Sequence, residues 1–177
     1  VGEDEWYYDA IIKLTEKGIV SGDGTGKFYP ENDVLREEFL KMMLVAANIE
    51  LDETENTFTD VKDTDWFKQY VLTGRKIRVV NGISDEEFGI GMKITRQDMV
   101  VMISRLPCVK NNSGEALETV EFNDNNMISD YAVEAVMKMR KIGLVNGYDN
   151  FYRPLDTVTR AEAATVISNL LEILSKE

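Results

Sequence analysis

The chain has 177 residues, 44% of them hydrophobic, with 20 basic and 32 acidic side chains, no histidine and a formal net charge of −12. Its size and apolar share fit a packed chain of one domain or a few small units. The acidic balance argues against nucleic acid or an anionic membrane as partner, the lack of histidine removes the commonest general base and transition-metal ligand, and no stretch has the length of a membrane-spanning helix.

The chain opens with Val1-Gly2-Glu3-Asp4-Glu5, which has neither a start methionine nor the pattern of a signal peptide and reads as a segment of something longer. Trp6 follows, and Tyr7, Ala10, Ile11 and Leu14 then recur at helical spacing. Gly18 stands where a left-handed cap ends such a helix. Asp23-Gly24-Thr25-Gly26 is turn chemistry, Phe28 is the next aromatic, and Pro30 keeps the following approach extended. A second helix is predicted from about Arg36, with Phe39, Met43, Ala46 and Ala47 on one face and Leu40 and Leu44 beside them. A linker spans 48–57. Phe58-Thr59-Asp60-Val61, Trp66, Arg78-Val79-Val80-Asn81-Gly82, Phe88 and Thr95-Arg96-Gln97-Asp98 come next. The helix carrying Met99, Met102, Ile103 and Leu106 is predicted to stop at Pro107. A second linker, 109–120, contains the turn signal Asn111-Asn112-Ser113-Gly114. The last stretch has Phe122-Asn123-Asp124, Tyr131, Gly143-Leu144-Val145-Asn146-Gly147, Phe151 and Thr159-Arg160-Ala161-Glu162, then a helix bearing Ala163, Ile167, Leu170, Leu171 and Leu174.

These elements are one unit written three times. Gly18-Ile19-Val20-Ser21-Gly22 aligns with 78–82 and 143–147, and Trp6, Trp66 and Tyr131 precede the final glycine by one constant interval. From that glycine to the arginine the interval is equal in the first two copies and one residue shorter in the third. Aligned aromatics follow at Phe28, Phe88 and Phe151. Each copy reads as helix, loop, helix, so the fold class is all-α, with copies at 1–50 (its start missing), 58–110 and 120–177. A two-helix unit cannot bury such an apolar face alone, whereas three packed together can.

The second helix opens with a tetrad that explains itself only in part. Thr159 and Glu162 form a capping box, and Thr95 with Asp98 approximates one. The cap does not account for Arg36, Arg96 and Arg160, since a positive charge at a helix start opposes the helix dipole by roughly 0.3–1 kcal/mol. In copy one Leu35 has replaced the capping threonine and the arginine remains. A guanidinium beside free helix-start N–H groups suits a carboxylate or phosphate. The structural alternative is a salt bridge to a neighbouring copy, with Asp60 or Asp124 as partner. Binding is the favoured role, and Arg160→Ala is then expected to remove binding while changing stability little. Gly22, Gly82 and Gly147 supply a positive φ, leave room for a ligand against backbone, or both. Trp6, Trp66 and Tyr131 are core residues by position, though a groove-edge aromatic is a stacking face for sugar rings.

Other signals are weaker. Asp23-Gly24-Thr25-Gly26 lacks the ligand set of an EF-hand. Glu37-Glu38 and Asp85-Glu86-Glu87 differ between copies and read as solvated surface rather than as a glycosidase pair. No nucleophile–base arrangement, phosphate loop, metal cluster or cofactor site is evident, so no enzyme is expected. Cys108 is the single cysteine, so an internal disulfide is not possible.

An aromatic-Asp start, a tryptophan before the first helix, Gly-Ile-Val-x-Gly, an aromatic-x-Pro segment and Thr-Arg-Ala-Glu together resemble the S-layer homology repeat, in a set of three covering nearly the whole chain. Copies depart from it at Leu35, Arg78, Gly89-Ile90-Gly91, Gln97-Asp98 and Tyr131. The resemblance implies a pseudo-threefold helical bundle with grooves between repeats. It also implies a non-catalytic module on the Gram-positive cell wall or S-layer, outside the cell, covalently continuous with a cargo. Its partner is then a secondary cell wall polysaccharide ending in pyruvylated N-acetylmannosamine. Carried over, Arg36, Arg96 and Arg160 meet the pyruvate carboxylate, Gly22, Gly82 and Gly147 let the ketal reach backbone, and Asp60, Asp124, Trp6, Trp66 and Tyr131 hold hydroxyls and ring. The alternative is a protein-binding or lattice-assembly module, for which the acidic surface and the methionines at 42–43 and 99–102 would serve.

Overall fold

Each copy is built on two main helices joined by a loop, and the way they interleave is set by where their apolar faces find cover. The computed structural model describes residues 1–52, 54–110 and 121–175. Copy one contributes α1 (Tyr8–Glu16) and α2 (Arg36–Ala46). Copy two contributes α3 (Lys68–Lys76), α4 (Arg96–Ser104) and the short α5 (Pro107–Lys110). Copy three adds a 3-10 turn, α6 (Asp130–Lys141) and α7 (Arg160–Leu174). Among the described residues there is no strand, so the chain is all-α as expected. The turn expected at Asn111-Asn112-Ser113-Gly114 lies outside the described residues.

Helix ends follow local chemistry. Thr159 accepts from the Glu162 N–H at 3.3 Å and Glu162 accepts from the Thr159 N–H at 2.9 Å, a complete capping box on α7. Copy one keeps only half of it, the Leu35 N–H donating to Glu38 at 3.0 Å. Gly18 and Gly143 terminate α1 and α6 at φ of +67° and +74°, and Arg78 takes the same left-handed turn after α3 at +60°. Pro107 does not simply end a helix: it starts α5, where its missing N–H is no loss.

The principal helix contacts run between copies: α3 packs on α2, α6 on α4, and α1 on α7. Each first helix therefore covers the second helix of the copy before it in a closed cycle, and the end of the chain is stitched to its beginning. The buried side chains form one cluster through all three copies, including Leu14, Phe39, Leu44, Val71, Ile103 and Ile167. Met42, Met43, Met99 and Met102 belong to this core, so they do not form the exposed docking face considered for lattice assembly. Glu37, expected on the surface, is buried and accepts from the Gly91 N–H at 3.1 Å.

The threefold order is visible in the backbone itself. Val34 N–H donates to Val158, Ile94 N–H to Val34, and Val158 N–H to Ile94, at 2.9–3.0 Å, closing a ring of three equivalent bonds among fully buried residues. This ring fixes the starts of α2, α4 and α7 relative to one another, and with them the three arginines.

Candidate functional site

Arg36, Arg96 and Arg160 each occupy the first position of their helix. Their backbone N–H groups are not free. Arg36 donates to Met92, Arg96 to Asp156 and Arg160 to Asn32, at 2.8–2.9 Å, and the next N–H groups of α4 and α7 go to Pro154 and Pro30. At α4 and α7 the first two amides expected to support a bound anion are therefore taken by carbonyls of the adjoining copy, as is the first amide of α2, and the guanidinium is the main group left for a ligand. Each guanidinium lies over an aromatic ring of the next copy's loop, Arg36 over Phe88, Arg96 over Tyr152 and Arg160 over Phe28, with 4.5–5.6 Å to the ring centroid. The aromatic of copy three is thus Tyr152, fully buried and stacked on Phe122, and not Phe151, which is exposed.

The loops are built to receive these side chains. After each buried aromatic the chain turns left-handed, at Tyr29, Gly89 and Arg153. In copy two the turn points the N–H groups of Phe88, Gly89 and Ile90 at the Asp60 carboxylate, at 2.8–3.0 Å. In copy three Tyr152 and Arg153 point theirs at Asp124, at 2.7–2.8 Å. Burial pushes the Asp60 carboxyl up, but the Ile90, Phe88 and Gly89 amides outweigh it and hold it below its ordinary value. Asp60 and Asp124 therefore clamp their own loops and pair with no arginine among the described residues.

The loop glycines serve the same geometry. A Cβ on Gly82 would stand 2.4 Å from the Glu87 carbonyl oxygen, one on Gly147 2.5 Å from that of Phe151, and one on Gly22 2.6 Å from that of Lys27. Gly82 and Gly147 are left-handed and Gly22 is not, so close approach of the loop's own backbone is the requirement common to all three. Trp6, Trp66 and Tyr131 are exposed rather than core; their neighbours Tyr7, Phe67 and Ala132 point inward instead.

Two grooves result. Groove 1 encloses about 550 Å³ and brings together Arg160 of copy three, Gly22 of copy one, Glu38 and Lys41 of α2, and Trp66 of copy two. Groove 2, about 370 Å³, is its rotated counterpart, with Arg36, Gly82, Asp98 and Tyr131. The arginines differ in what they meet. Arg96 Nη1 donates to Glu162 Oε1 at 2.7 Å, and Arg36 Nη1 lies 3.6 Å from Asp98 Oδ2. Arg160 donates from Nε to the Phe28 carbonyl and from Nη2 to the Ser21 carbonyl, both at 2.9 Å, and has no carboxylate within 4.0 Å among the described residues. The acids involved are third in each helix, so the tetrad that caps its own helix also faces the previous copy's arginine. The sequence holds that signal in the repeat of the position, but only the cyclic packing shows which arginine it meets.

The S-layer homology domain profile matches residues 1–40, 57–100 and 121–164. The chain belongs to the S-layer homology family. It is 32% identical over 172 residues to the exoglucanase XynX of Acetivibrio thermocellus, a match covering 96% of this chain and 16% of that protein. It is 32% identical over 172 residues to an amylopullulanase of Thermoanaerobacterium thermosulfurigenes, covering 96% and 9%. It is 26% identical over 171 residues to the S-layer protein sap of Bacillus anthracis, covering 95% and 20%. The chain thus spans a fifth or less of the length of these relatives. The same module occurs in proteins named as enzymes and in one named as an S-layer protein, so the enzymes' names do not describe it. As an S-layer homology module, the chain serves in cell-wall anchoring at the bacterial surface and not in catalysis.

Proposed function

We propose that groove 1 holds the carboxylated terminal sugar of a secondary cell wall polysaccharide, pyruvylated N-acetylmannosamine, and that this contact anchors a cargo covalently continuous with the chain. The observation that carries the reading is the unpaired state of Arg160: among the described residues, the other two helix-start arginines face carboxylates and this one faces the groove. Two loop carbonyls fix its guanidinium, leaving the remaining N–H donors for a bidentate carboxylate at little ordering cost. Trp66, 57% exposed and lining the same groove, offers a face for the sugar ring. Gly22, where the Lys27 carbonyl leaves no room for a side chain, lines the same groove.

The acids lining the groove do not oppose this. Asp23 accepts from Thr25 and Lys27, Asp33 pairs with Lys93 and accepts from Thr157, and Glu38 accepts from the Leu35 N–H. Each is committed to an internal partner, while Lys41 adds a second cation over Trp66. At a screening length of about 8 Å, acids elsewhere on the chain matter little. Titration calorimetry with pyruvylated N-acetylmannosamine and with the same sugar lacking its ketal tests the reading. Binding of the first and not of the second is expected; equal heats from both would reject it.

A further inference from the structure

Groove 2 shares the plan of groove 1 but is filled differently. Asp98 stands where Glu38 stands, Gln97 where Glu37 stands, and Tyr131 where Trp66 stands. All three are departures from the repeat pattern, they lie in two different copies, and they meet at one point. The Tyr131 hydroxyl donates to Asp98 Oδ1 at 2.8 Å and accepts from Gln97 Nε2 at 2.9 Å. Gln97 is buried and further held by Ser129, whose N–H donates to Gln97 Oε1 at 3.0 Å. Thr95 Oγ1 donates to Asp98 Oδ2 at 2.9 Å, the oxygen that faces Arg36. Arg36 itself is only 7% exposed, and among the described residues its Nε has no hydrogen-bond partner, whereas the Nε of Arg96 and Arg160 each reach a loop carbonyl.

We infer that groove 2 is closed to carboxylated sugars by its own side chains, with Asp98, held by Tyr131 and Gln97, occupying the place on Arg36 that a ligand carboxylate would take. A tryptophan has no hydroxyl to hold that carboxylate, and an alanine in place of Gln97 has no amide to hold the hydroxyl. Burial and the Asp98 charge push the Tyr131 phenol up to about 12, so it remains a donor throughout the physiological range. A ligand would have to displace, from a mostly buried guanidinium, a carboxylate that the Tyr131 and Thr95 hydroxyls hold in place. The module then anchors asymmetrically, through groove 1 and not groove 2.

This inference rests on the function proposed for groove 1, and a site-resolved measurement separates the two. The amide signals of Gly22 and Gly82 report grooves 1 and 2 in a nitrogen-15 titration of the chain with pyruvylated N-acetylmannosamine. The Gly22 signal is expected to shift first, with Gly82 unmoved until the ligand concentration is at least about tenfold higher. In Asp98→Ala, and more weakly in Tyr131→Phe, Gly82 is expected to shift together with Gly22. Equal response of both glycines in the unaltered chain would overturn the closure of groove 2 while leaving groove 1 intact. A Gly82 signal still silent in folded Asp98→Ala, with Gly22 shifting, would overturn the lock as its cause. No response at either glycine in the unaltered chain would overturn both readings. Should Asp98→Ala fail to fold, the order of response in the unaltered chain decides the matter with Tyr131→Phe.

Discussion

Arg160 lies against Phe28 across almost the whole chain: its Nε donates to the Phe28 carbonyl at 2.9 Å, and its guanidinium carbon stands 4.5 Å from the centre of the ring. The contact joins the last copy to the first and, in the same stroke, aims the remaining donors of the guanidinium into groove 1. Structure and binding therefore share one side chain, which shapes what substitution there will do.

Arg160→Ala removes two hydrogen bonds and a ring contact that close the cycle. It is expected to lower the unfolding free energy by about 1–3 kcal/mol as well as to abolish binding at groove 1. The sequence alone suggests little change in stability; the loop carbonyls are the reason to expect otherwise. Trp66→Ala separates the two effects. Its ring is largely exposed, so urea unfolding should shift by less than about 1 kcal/mol, while calorimetry should show affinity reduced roughly tenfold or more.

Two kinds of glycine respond differently to alanine. Gly18 is left-handed at φ +67° with nothing within 4 Å of an added Cβ, so Gly18→Ala should cost only about 1 kcal/mol of backbone strain. Gly82→Ala adds to that strain a contact of 2.4 Å with the Glu87 carbonyl oxygen and one of 2.7 Å with the Phe58 ring. It should cost several times as much. Thermal unfolding of the two variants side by side checks the ordering.

Arg78 stands at the left-handed turn that Gly18 and Gly143 make elsewhere, at φ +60°. Arg78→Gly should therefore stabilise the chain by roughly 0.5–1 kcal/mol, the relief of strain outweighing the greater freedom of glycine when unfolded. Urea unfolding with an unchanged slope and a higher midpoint is the expected result.

The Asp60 clamp gives a pH dependence of definite sign. Its folded carboxyl titrates below the ordinary value, so its stabilising effect is present above that value and lost as pH falls through the folded one. Burial raises Glu37, whose contribution has the opposite sign, so the two partly offset in the unaltered chain. Asp60→Asn should be less stable at pH 7 by about 1–2 kcal/mol, from loss of charge-assisted bonds. The difference should narrow once the pH is below about 4. A gap of constant size across that range would mean the clamp does not act through its charge.

Much of this was legible in the residues. Helical spacing and the capping tetrads placed the second helices, with Arg36, Arg96 and Arg160 opening them. Pairing Phe28 with Phe151 went wrong because the residue missing from copy three lies in its loop, between Gly147 and Tyr152. Measured back from the arginines, Phe28, Phe88 and Tyr152 share one interval. The cyclic packing was not legible, because adjacency along the chain pairs α1 with α2 and α3 with α4, whereas the main contacts pair α1 with α7 and α3 with α2. For the same reason the carboxylates that meet Arg36 and Arg96 were not legible. Asp60 and Asp124 have the charge, but left-handed turns at Gly89 and Arg153 bring amides to them first. Trp66 and Tyr131 read as core because an aromatic before a helix usually packs inward; here Phe67 and Ala132 take that place.

The measurement that bears most directly on groove 1 is a crystal structure of the chain with pyruvylated N-acetylmannosamine bound. The pyruvate carboxylate should lie about 2.7–2.9 Å from the Arg160 guanidinium nitrogens, with the sugar against Trp66. A ligand seated away from Arg160, or one held through hydroxyls with its carboxylate in solvent, would contradict the account.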